Sequence, residues 1–157
     1  MTYLILKYLH VLGAVVILGT GAGIAFFMVM ADRSRDAAFV ARTAGVVVIA
    51  DVVFTASAIV LQPITGVLLM RETGARLADS WIVASLALFV VAGAFWLPVV
   101  WMQIRMRDLA RAAAVAGATL PVAYRRLFRV WFAFGFPGFG AVMAIAWLMI
   151  AKPTLWR

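Results

Sequence analysis

Cysteine is absent from the sequence, which excludes disulfides, thiolate metal sites and cysteine nucleophiles. Histidine is nearly absent, since His10 stands alone, so two imidazoles cannot bind one metal within a single chain. No serine and carboxylate are arranged about His10 in a recognisable motif, which argues against acyl transfer and hydrolysis. Charge is scarce at 13% of residues, with only six acidic side chains. Apolar residues fill the space instead, at 67% of the chain with a mean hydropathy of +1.10. Soluble domains lie nearer one half apolar, so much of this surface must face lipid.

Four apolar blocks stand out: Leu4 to Met30, Thr43 to Met70, Trp81 to Gln103 and Val130 to Ala151. Each is long enough to cross roughly 30 Å of hydrocarbon at about 1.5 Å per residue. They predict an all-α integral membrane four-helix bundle, antiparallel, forming a single transmembrane domain over residues 1–157. The first block is about twice the usual apolar length of a signal peptide and has no small-x-small cleavage pattern before Asp32, so it reads as a mature helix. The remaining residues are too few for a separate soluble domain, which leaves the helices and their connections to carry any chemistry.

The net charge of +8 does not point to nucleic acid, because the cations sit in the connections and at the ends. Arg33, Arg35, Arg42, Arg105, Arg107, Arg111, Arg125, Arg126 and Arg129 fall on one side of the bilayer. Lys7, Arg71, Arg76, Lys152 and Arg157 fall on the other. The positive-inside rule then predicts N-out, C-out topology, with the nine arginines facing anionic phospholipids at the cytoplasmic side. Asp32 to Arg42 reads as a solvated connector. Gly74 breaks the second helix, and Asp79 or Ser80 caps the third. The third helix is expected to run past the bilayer until Gly117 and Pro121 stop it. Tyr124, Leu127, Phe128 and Trp131, among Arg125, Arg126 and Arg129, then read as a basic interfacial elbow. A lipid-anchored elbow and a docking site for a cytoplasmic partner are both open readings.

Ionisable groups in hydrocarbon cost at least about 2.5 kcal/mol each, so those present are candidates for a task. His10 lies about two turns into the first helix, where an imidazole can hydrogen-bond within the bundle, ligate haem iron or another metal, or pass protons. Gly13, three residues on, leaves room for a neighbouring helix or a planar macrocycle. Asp51 lies about 12 Å from the near end of the second block. It requires a partner, for which Arg129 and Arg42 are candidates, or a proton for a relay. Further along, Gln62-Pro63-Ile64-Thr65-Gly66 predicts a kink, with Gln62 and Thr65 at the depth of His10. Trp96, Trp101 and Trp131 read as interface anchors or as the lining of a quinone or porphyrin site.

Taken together, LKYLH, QPITG, WLPVVWMQIRMRDLA and the closing run from Leu120 through AWLMIAKP resemble the predicted bacterial integral membrane proteins of the domain-of-unknown-function family DUF2269. That resemblance covers nearly the whole chain, implies a multi-pass protein of the bacterial inner membrane, and brings no established activity. More distantly, Lys7 and His10 opening a glycine-bearing first helix are similar to the start of HemJ-type protoporphyrinogen oxidases and of CopD copper-resistance proteins. The HemJ similarity implies a haem b protein with His10 as an axial ligand and electron transfer to quinone. With one histidine, the second ligand must be a methionine, a second protomer's histidine, or nothing. Copper is the weaker option, because methionines are scattered rather than clustered at the outer side. Two functions stay open: a membrane oxidoreductase holding haem b near Lys7, His10, Gly13, Gln62 and Thr65, or a non-enzymatic bundle. The latter would be a proton-linked small-solute transporter using Asp51 and His10, or an accessory subunit of a larger complex. A homodimer is compatible with either.

Overall fold

The computed structural model describes residues 1–156; Arg157, counted above among the outer cations, lies outside them. Four helices make up the fold: α1 Thr2–Ser34, α2 Ala37–Thr73, α3 Ser80–Val115 and α4 Val122–Ala151. Each is long and apolar enough to span a membrane. Short connections make sequential helices antiparallel. Both termini and the α2–α3 turn therefore lie at one end, the termini end. The α1–α2 and α3–α4 connections lie at the other, the elbow end.

The helices are longer than the apolar blocks because their charged ends stay helical. The expected connector from Asp32 to Arg42 shrinks to Arg35 and Asp36. Arg35 adopts φ 56° and closes α1, while the Asp36 carboxylate accepts from Ala38 N at 2.8 Å and Phe39 N at 3.3 Å. Two of the four free N–H groups at the start of α2 are thereby satisfied, which is why the chain can turn so tightly. At the termini end, Gly74 ends α2 with φ 69° as expected. Asp79 precedes α3, but its carboxylate accepts from Arg76 N at 2.9 Å rather than from the helix start. Ser80 is likewise not a cap: its hydroxyl accepts from Leu155 N at 2.9 Å and ties down the chain after α4.

α3 runs to Val115 before Gly117, at φ 61°, breaks it, and Pro121 leads into α4. The elbow reading needs correction here. Tyr124 and Trp131 are buried core residues, 0% and 4% exposed, rather than side chains presented to lipid headgroups. Seven residues separate them, so they share one face of α4, and that face turns inward.

The core lies in the elbow half. Ile24, Met28 and Ala31 of α1 meet Val40, Ala44 and Val47 of α2, Met102, Met106 and Ala110 of α3, and Tyr124 and Trp131 of α4. Six of the fifteen buried core residues are alanine, which lets backbones approach closely where lipid removes the hydrophobic drive between helices. In α2 the alanines fall at 37, 41 and 44 and in α3 at 110 and 113, the three- and four-residue spacing of one helical face. The termini half is different. There the last segment of α2, Ser57–Thr73, packs on α1 and has no comparable contact with α3 or α4. The α3–α4 hairpin stands apart, held to itself by Phe95 against Phe134 at 5.3 Å and by the close approach of Phe95 to Gly138.

α2 leaves α-helical geometry over Asp51–Ala56, where it forms a π segment, and stays helical through Pro63. The irregularity expected at the proline therefore lies two turns earlier, next to the one carboxylate inside the bundle. Such π turns inside α-helices gather at functional positions.

Candidate functional site

Two polar constellations occupy the interior. The first joins α1 to α2 near the termini end. His10 Nδ1 lies 2.8 Å from Thr65 Oγ1, which itself lies 2.8 Å from the Leu61 carbonyl and 3.2 Å from that of Gln62. A hydroxyl carries one proton. When Thr65 gives it to its own helix, its oxygen is free to accept from Nδ1–H, a tautomer that leaves the imidazole lone pair on Nε2. In the opposite direction, Gln62 Nε2 donates to the His10 backbone carbonyl at 2.8 Å. The two bonds form a reciprocal clasp.

One glycine makes the clasp sterically feasible. A Cβ at Gly13 would sit 2.6 Å from Gln62 Nε2, a separation that real atoms do not tolerate. The space that the sequence offered to a macrocycle beside Gly13 is thus filled by the Gln62 amide. A Cβ at Gly66 would lie 3.5 Å from His10 Cε1, so the ring packs directly against α2. Lys7 is exposed one turn nearer the end, with Nζ 5.7 Å from the Tyr3 ring centre.

His10 also lies on the stripe of α1 that faces the bundle interior. Gly21 and Met28 follow it by 11 and 18 residues, about 20° and 0° away around the helix. Met28 is fully buried, and a Cβ at Gly21 would meet the Phe139 ring of α4 at 3.7 Å. His10 itself is partly buried.

The second constellation surrounds Asp51. Counted from Ala37, the carboxylate is about 21 Å along α2, deeper than the apolar block implied. Asp51 and Thr55 are 3% and 5% exposed and share the inner face of the π segment. Trp96 Nε1 donates to Asp51 Oδ1 at 3.4 Å. Trp96 therefore turns its indole N–H inward to α2, although α3 continues 19 residues beyond it. The expected Asp51–Arg129 pair does not form, nor does one with Arg42. Both arginines are exposed at the elbow end, whereas Asp51 is deep on an inner face. Among the described residues the single ion pair is Arg107 with Asp108, at 2.9 Å.

Gln103, Tyr124 and Trp131 hold further buried polar atoms. Gln103 is 0% exposed, and neither amide atom has a hydrogen-bond partner among the described residues. Sequence reasoning missed it because it closed an apolar block and looked like a boundary. It also missed the Trp96 donor, although the seven-residue spacing of Trp96 and Gln103 placed both on one face of α3. No three histidine, aspartate or glutamate side chains gather as a metal cluster among the described residues.

Four antiparallel apolar helices with polar groups turned inward define a multi-pass integral membrane protein. Within that class the chain belongs to the DUF2269 family, whose model, described as a predicted integral membrane protein, matches residues 4–153. No curated protein and no solved structure matches the chain.

Proposed function

We propose that the protein is a membrane redox component that holds haem b between its two hairpins in the termini half, with His10 as an axial ligand. The observation that carries this reading is the Nδ1–Thr65 bond at 2.8 Å. A histidine that ligates a metal through one nitrogen commonly donates its other N–H to a fixed acceptor, which sets the tautomer and the ring orientation. Thr65 Oγ1 offers His10 such an acceptor. Gln62 fills the α1–α2 side at Gly13, so a group held by His10 would have to lie on the inter-hairpin side.

Bound there, the haem would supply one-electron chemistry, exchanged with a quinone or with a partner subunit. The chain's own residues divide the work. His10 binds, Thr65 orients it, Gln62 fixes the backbone that carries it, and Lys7 offers a cation to an acidic edge of the macrocycle. The excess of arginine at the elbow end supports a topology with that end in the cytoplasm and the termini and His10 towards the outer side of a bacterial inner membrane.

A second reading rests on Asp51. A carboxylate inside a membrane bundle, on a π segment with Thr55 and a tryptophan donor, suits a proton-linked transporter. The two readings separate in one measurement: absorption spectra of detergent-purified protein from haem-replete cells, oxidised and reduced, beside His10→Ala. A Soret band that sharpens on reduction and disappears in His10→Ala is expected. Colourless wild-type protein would sink the haem reading and turn attention to Asp51.

A further inference from the structure

The elbow end carries nine arginines against three aspartates, Asp32, Asp36 and Asp108. Two of the three carboxylates are occupied, Asp36 by the start of α2 and Asp108 by Arg107. Between α2 and α3 at this end lies a groove of about 380 Å³ lined by Ala38, Ala41 and Arg42 on one side and Arg111, Ala114 and Val115 on the other. Its floor is small and apolar, and it has one guanidinium on each wall. Arg111 reaches far across it: a Cβ at Gly45 of α2 would lie 3.6 Å from Arg111 Nη2. Gly45 is one turn deeper than Arg42, so the two cations bracket the groove along α2. Neither arginine has an ion-pair partner among the described residues.

From this geometry we infer that the α2–α3 groove is a binding site for the phosphate of an anionic phospholipid, clamped between Arg42 and Arg111. A guanidinium binds phosphate through two parallel N–H donors, and basic pockets between transmembrane helices recognise acidic headgroups. The alanine floor would take the glycerol and the first methylenes, which a free phosphate cannot use. This inference does not depend on haem binding, because the groove is at the opposite end from His10.

The test compares two double variants with the same change in charge, Arg42→Gln/Arg111→Gln inside the groove and Arg33→Gln/Arg35→Gln outside it. Delipidated protein in neutral detergent is titrated with phosphatidylglycerol, phosphatidylcholine or inorganic phosphate, following thermal stability and, by native mass spectrometry, lipid retained per chain. Phosphatidylglycerol alone is expected to stabilise the wild type and the Arg33/Arg35 variant. The Arg42/Arg111 variant is expected to need roughly tenfold more lipid, or more, for the same effect. Arg42→Gln and Arg111→Gln singly should each weaken binding severalfold, which keeps the test intact if the double variant folds poorly. Equal losses in both double variants would mean diffuse attraction and overturn the site. So would no loss in the groove variant, or an equal response to inorganic phosphate.

Discussion

At the elbow end, Ala31, Ala44 and Ala110 are fully buried and four helices close on one another. At the termini end, the last turns of α2 lean on α1 through side-chain hydrogen bonds from Gln62 and His10, and the α3–α4 hairpin stands away. One half coheres by close packing of small residues and the other by a polar clasp. Helices in lipid gain little from burying apolar surface against each other, so these are the two means available. The packed half is suited to a fixed scaffold. In the clasped half the last segment of α2 has no comparable contact with the α3–α4 hairpin.

The largest expected effect breaks the packed half. Ala44→Leu or Ala110→Leu forces a branched side chain into a contact that has no space. Overpacking of this kind costs on the order of 1–3 kcal/mol, and the inability of facing backbones to separate argues for the upper part of that range. Thermal unfolding in detergent should show a clear loss for either variant. The same change at Gly19, where a Cβ meets nothing within 4 Å, should leave the stability of the single chain nearly unchanged.

Next is the clasp. Gly13→Ala puts a methyl 2.6 Å from Gln62 Nε2, so the amide must leave the His10 carbonyl. Interhelical hydrogen bonds in membranes average about 0.6 kcal/mol and reach about 1.7, which bounds the loss. A double-mutant cycle sharpens the point: in a Gln62→Ala background, Gly13→Ala should cost much less, because the atom it displaces is gone. Equal costs in both backgrounds would refute the clasp.

How much of this was legible beforehand follows from which signal each feature leaves. Four spans, their antiparallel order and the convergence of His10, Gln62 and Thr65 came from apolar length and from depth counted along helices. Helix ends did not, because apolarity reports where lipid begins rather than where helical hydrogen bonding stops; Asp32, Arg42 and Arg111 are helical and charged. The Asp51–Arg129 pair was misread for the same reason. With α2 starting at Ala37, Asp51 moves deeper and out of reach, and a tryptophan on α3 takes the place of the arginine. Tyr124 and Trp131 looked like anchors because aromatic residues near cations usually are; only the packing of α4 on α3 shows which face turns inward.

A smaller effect, opposite in sign, tests whether the packed half uses polar contacts at all. Gln103 is enclosed there with no partner for its amide among the described residues. Gln103→Leu keeps the volume and removes two buried polar atoms. Stability should be retained or rise by about 1 kcal/mol. A marked loss would show that the elbow half, like the termini half, relies on a hydrogen bond at this position.

The smallest effect is expected at the elbow surface. Arg107 and Asp108 form the one ion pair among the described residues, yet Asp108 is half-exposed and the two are neighbours in sequence. An exposed pair of this kind gains little, because water and salt screen it and the side chains lose freedom in forming it. Arg107→Gln should leave the unfolding temperature within error at moderate salt. It should also leave phosphatidylglycerol binding intact, since Arg107 does not line the α2–α3 groove. Arg111, four residues away on the same helix, should behave oppositely, with little effect on the lipid-free protein and a clear loss of anionic-lipid binding. Two arginines of equal charge, one turn apart, would then differ only in what each faces, and that difference separates a built site from a merely basic surface.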